Sequence, residues 1–295
     1  MTGPLLSLAR AALAAGVFLT ASVSWPAAAA EDPPKADDAK PATAAEEVYR
    51  REALKLVGGI DLEVQRDGEW VKVKRLEKPL LLFGDATRGH DRGSVWAWGD
   101  TGRPAAVLEL WQDSGDRDRW YCSLVNTSGG KVRAARAGTP WWRENDSACE
   151  LADLPGAPAP GDAAQRPRQR KALAEKFAGH QFWDPDNSRY ELRRLDRPLH
   201  SYRDEAAGLL DGGLYVLVNG TNPEILVFVE ARVTPADKAK ATWQFAVGRS
   251  SHAELHLTYD GKEVFTGPRG NALSGPRKPY WITALSATPV EDAKE

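Results

Sequence analysis

The sequence predicts an α+β, β-rich fold built from two tandem repeats, each a short helix followed by a curved antiparallel sheet. Three observations carry that expectation. The chain matches itself at a shift of 119 residues, two segments place apolar residues at helical spacing, and short alternating strands are separated by Gly-, Asn- and Asp-rich turns.

The self-match lays residues 71–110 on residues 190–229 without a gap. Identities are Arg75/Arg194, Leu76/Leu195, Pro79/Pro198, Leu80/Leu199, Asp85/Asp204, Gly89/Gly208, Gly93/Gly212 and Pro104/Pro223, and Phe83/Tyr202 and Trp96/Tyr215 keep chemical type. The second copy then gains four residues, after which Trp120 meets Trp243, Leu124 meets Val247 and Ser128 meets Ser251. Further on, Pro140-Trp141-Trp142 echoes Pro279-Tyr280-Trp281.

Within each copy the elements follow from local chemistry. Val48, Leu54 and Val57 place a helix over 45–57, and Leu173 and Phe177 place its counterpart over 169–178. A hairpin joins 60–65 to 70–76 through Asp67-Gly68, a pair suited to the positive φ angles of a tight turn, and 181–195 is its equivalent. A second hairpin pairs 95–98 with 105–111, and in the other copy 214–218 pairs with 224–230 around Asn219-Gly220. Strands follow at 120–125, 132–135, 243–247 and 254–258. Short strands and Gly-rich turns call for antiparallel pairing.

The ends set the compartment. Arg10, the apolar run 11–23 and the alanines 27–30 form a signal peptide over 1–30, with cleavage expected after Ala30. The run is shorter than the roughly 20 apolar residues of a membrane helix, so no stable span is expected after cleavage. A disordered leader at 31–44, repeat units at 45–152 and 168–288, a Pro/Gly/Ala linker at 153–167 and a tail at 289–295 complete the organisation. The protein is expected to be exported, to the periplasm or beyond the cell.

With Arg10 removed, 38 basic against 41 acidic side chains leave a net charge of −3. No basic stripe follows a groove, which argues against a nucleic-acid partner. Cys122 and Cys149 are an even pair in an exported chain, so a disulfide is expected.

The signal peptide, together with FWDPDNSRYELRRLDRPLH at 182–200 and GGLYVLVNGTNPEILVFVEA at 212–231, resembles an uncharacterised exported protein family of planctomycete-type bacteria. The resemblance implies export and brings no activity, substrate or catalytic residue with it.

Three constellations could carry chemistry. On a strand, His252, Glu254 and His256 would share one face, a ligand set suited to zinc or non-haem iron, while the same alternation also describes a solvated polar face. Asp85 and Asp204 occupy equivalent positions and could serve a hydrolase acting on a cell-surface polymer, but their repetition favours a role in which each caps its own turn. Aromatic residues are abundant, with ten of the 11 tryptophans in the mature chain. Trp141, Trp142, Tyr280 and Trp281 follow a proline in both copies, which makes them the candidate ligand-binding residues of a non-catalytic module facing a glycan or an envelope protein. No G-x-S-x-G elbow, P-loop or dinucleotide fingerprint occurs, and no cofactor is implied.

Overall fold

A computed structural model describes residues 44–85, 90–113, 115, 119–183, 186–234 and 237–285. The signal segment, the leader up to residue 43 and the tail lie outside the described residues. The described residues form one compact unit.

Helix α1 (Ala44–Gly58) leads into β1 (Ile60–Arg66), β2 (Glu69–Val73), β3 (Leu81–Asp85), β4 (His90–Trp98), β5 (Ala106–Asp113), β6 (Trp120–Asn126), β7 (Lys131–Arg136), β8 (Thr139–Asp146) and the two-residue β9 (Ala152–Asp153). Helix α2 (Arg166–Ala174) opens a second series. It comprises β10 (Phe177–Trp183), β11 (Ser188–Arg194), β12 (His200–Asp204), β13 (Leu209–Asn219), β14 (Asn222–Thr234), β15 (Asp237–Arg249), β16 (Glu254–Tyr259), β17 (Lys262–Gly267) and β18 (Tyr280–Ala284). The fold is β-rich, with a curved antiparallel half-barrel sheet.

Among the described residues three sheets result: β2-β1-β7-β8, β18-β6-β5-β4-β3, and a nine-stranded sheet in which β17-β16-β10-β11-β13-β14-β15-β9 run in line and β12 pairs with β13. Their tight turns follow from sequence. Asp67-Gly68, Ala137-Gly138 and Asp260-Gly261 all take positive φ at both central positions, as two-residue hairpins require.

The pairing register recurs along the chain. Phe83 opposes Gly93 and Tyr202 opposes Gly212; Trp96 opposes Leu108 and Tyr215 opposes Val227. In the ladders that follow, Leu108 opposes Leu124 and Val227 opposes Val247. Outside the strands, Leu76 donates its N–H to Ala97 and Leu195 to Val216, both at 2.9–3.0 Å, and Arg75 and Arg194 each reach the carbonyl of the next residue.

Apolar side chains divide into three cores. The first packs Tyr49, Ala53 and Val57 of α1 on Leu62, Trp98, Leu108, Leu124 and Trp142. In the second, Leu173 of α2 meets Phe177, Leu217, Ile225, Trp243 and Leu255. The third lies between the two series and sets Val95, Ala97, Val107 and Val125 against Leu214, Val216, Leu226 and Phe228. Strands β4, β5, β13 and β14 are therefore covered on both faces, which is why 214–218 and 225–229 are apolar without alternation.

Several expectations change. Helix α2 ends at Ala174, because Phe177 is drawn into the ladder opposite Tyr259 and buries its ring in the second core. Tertiary pairing overrides the helical spacing there. The disulfide is absent: Cys122 and Cys149 are free and buried. They sit in different cores, Cys122 beneath α1 and Cys149 between the sheets, so the sheet itself separates their thiols. Burial pushes the Cys149 thiol up to about 12 and that of Cys122 higher still, which leaves both protonated.

Candidate functional site

The four aromatic candidates separate into two pairs. Trp142 is fully buried in the first core, where its indole N–H donates to the Lys278 carbonyl at 3.0 Å. Tyr280 is buried in the core between the sheets. Neither ring is open to a ligand. The reason is that residues 139–146 form β8 against β7, and 280–284 form β18 against β6, so alternation turns one ring of each dipeptide inward. The two dipeptides also occupy different sheets, so their echo in sequence is not an equivalence of position.

The remaining pair does come together. Trp141 and Trp281 are half-buried, pack on the rim of the first core, and hold their ring centroids 5.1 Å apart at a tilt of 52°. The hydrogen bond from Arg143 N–H to the Pro276 carbonyl, 2.7 Å, joins the two segments beside them. Arg143, Arg277 and Lys278 are exposed in those segments.

The three candidate ligands do not converge as a metal site. His252 lies before β16, with its ring edge-on to Tyr280 at 5.4 Å and its Nε2 buried without a partner. His256 instead shares Nε2 with Glu254 (3.0 Å) and Nδ1 with Glu263 (2.7 Å). These carboxylates raise its pKa above the ordinary histidine value, that of Glu254 most strongly. His256 also stacks on His180 across the ladder at 4.6 Å, and burial together with Arg189 and His256 lowers the pKa of His180. Among the described residues no group of three or more His, Cys, Asp or Glu could hold a metal ion.

Of the two candidate carboxylates, the side chain of Asp85 is outside the described residues. Asp204 accepts the Ala207 N–H at 3.1 Å and caps its own turn.

A second polar centre had no signal in the sequence. Glu230 is completely buried and receives Arg103 through Nε at 2.7 Å and Nη2 at 3.0 Å, Arg232 at 2.8 Å, and the Tyr202 hydroxyl at 2.8 Å. Burial works to raise the Glu230 carboxyl, but Arg103 overrides it and holds the group below the ordinary value. Beside it opens a polar cleft of about 450 Å³ bordered by Arg66, Gly102, Arg103, Asp204 and Arg232. Because 127 residues separate Arg103 from Glu230, only the folded chain could reveal the pair.

Among the described residues no helix is long and apolar enough to cross a membrane. Comparison with protein families, with curated proteins and with solved structures returns no match for this chain.

Proposed function

We propose that the protein is an exported, non-catalytic binding module that engages a glycan or another component of the cell envelope through Trp141 and Trp281. One observation carries the reading: two indoles from segments 140 residues apart are brought to 5.1 Å on one half-buried surface. Large aromatic rings usually lie inside a core, and a pair left half-open suits stacking on sugar rings or on an apolar partner. The spread of the recurring register supports a finer reading of the scaffold as two tandem copies of one unit. Export, with cleavage after Ala30, belongs to the same proposal.

A glycan array probed with the full chain tests this reading. Binding to one class of glycan is expected, with at least about a fivefold loss on Trp141→Ala or Trp281→Ala, since a stacked aromatic contact contributes roughly 1–3 kcal/mol. An unchanged array profile in both variants, with the far-ultraviolet circular dichroism intact, would contradict it.

A further inference from the structure

Two edge strands pair crosswise between the two series. Strand β9 follows the first series, yet pairs with β15 of the second, with Ala152 opposite Phe245 and Asp153 opposite Gln244. Strand β18 follows the second series, yet pairs with β6 of the first, with Thr283 opposite Cys122 and Ala284 opposite Tyr121. Each arm ends in a buried leucine. Leu154 donates its N–H to the Trp243 carbonyl at 2.9 Å and lies in the second core; Leu285 donates to the Trp120 carbonyl at 2.8 Å and lies in the first. Trp120 and Trp243 themselves align in the sequence.

We infer that the chain is a strand-exchanged dimer fused into one polypeptide, in which the outer edges of β6 and β15, occupied by β18 and β9, are two equivalent docking surfaces. The partner that fits each edge is an extended arm with leucine at its end, supplied by the other half. The inference rests on the reading of two copies and is independent of the ligand. Reciprocity is what supports it: the same carbonyl, the same edge and the same terminal leucine are used in both directions, as an isologous two-fold interface demands. The fusion is physically economical. Because β9 already lies on the second half, its end stands near α2, and the short segment 155–165 is sufficient to join them. Each half contributes its hydrophobic leucine to the other's core and is incomplete without the return arm.

The test uses the full mature chain with a protease site inserted between Pro158 and Ala159, two exposed positions. After cutting, native mass spectrometry is expected to find one particle holding both fragments. With Leu154→Ala and Leu285→Ala together, the cut halves are expected to dissociate at least about a hundredfold more readily, since emptying buried leucine sites costs a few kcal/mol. Fragments that separate without any substitution would overturn the inference, as would a cut double variant as tightly held as the parent. Hydrogen exchange on the uncut single variants gives a second readout. Leu285→Ala should expose 120–126 and Leu154→Ala should expose 243–247; effects confined to each residue's own half would overturn the exchange. Crosswise effects of very unequal size would leave the exchange standing and count against two equivalent copies.

Discussion

At Glu230 a carboxylate with no solvent exposure meets two guanidinium groups and a phenol. Removing one partner strands a buried charge, which costs more than the pair contributes. Arg103→Ala is therefore expected to destabilise by roughly 3–5 kcal/mol in urea unfolding. Because the folded Glu230 carboxyl lies below its ordinary value, its stabilising effect is present above that value and fades as pH falls through the lowered one. Arg103→Ala should flatten that acid limb. The stacked histidines have opposite shifts. His256 is raised, so its contribution is full below the ordinary histidine value and fades as pH rises through the raised one; His180 is lowered and opposes it at low pH. A nuclear magnetic resonance titration should find His256 above and His180 below the ordinary value, with Glu191, Arg189, Glu254 and Glu263 facing them. Glu263→Gln should bring His256 down. Titration of both rings together at one ordinary value would contradict this.

The strands show why particular residues recur. A Cβ on Gly93 would stand 2.1 Å from the Phe83 ring, and one on Gly212 would stand 2.3 Å from the Tyr202 ring. Each aromatic lies flat over a cross-strand glycine, so the paired matches Gly93/Gly212 and Phe83/Tyr202 are a single packing requirement. Gly93→Ala or Gly212→Ala is expected to lower stability by about 1–3 kcal/mol through overpacking. The tight turn at Ala137 makes the reverse prediction. Ala137 holds φ at 48°, where asparagine or glycine is at less cost, so Ala137→Asn should stabilise by up to about 1 kcal/mol in thermal unfolding. The hairpin at Asp67-Gly68 was legible in the sequence because turn chemistry is local, and the one expected around Asn219-Gly220 is present with its turn shifted to Gly220-Thr221, between the paired Asn219 and Asn222. Strand β8 was not legible, because Pro140 and two successive tryptophans look like the end of a sheet; its partner β7 alone makes it a strand. That is also why Trp142, a candidate for ligand contact, is inside.

For the whole molecule, the β-rich character was legible because short alternating strands and turn residues are local signals. The crosswise closure was invisible, because Ala152-Asp153-Leu154 and Thr283-Ala284-Leu285 share only their last residue and earn their equivalence from where they dock. The contact surface was half legible: the aromatic dipeptides could be singled out, but which ring of each points outward depends on strand alternation. The most direct measurement of the reciprocal architecture uses the native thiol of Cys122, which stands opposite Thr283 across the β6–β18 ladder. Thr283→Cys, oxidised in dilute solution and mapped by peptide mass spectrometry, is expected to yield an intramolecular bond between Cys122 and the introduced thiol, joining the last strand to the first half. Two thiols that remain free, or a bond from the introduced thiol to Cys149, would contradict the account.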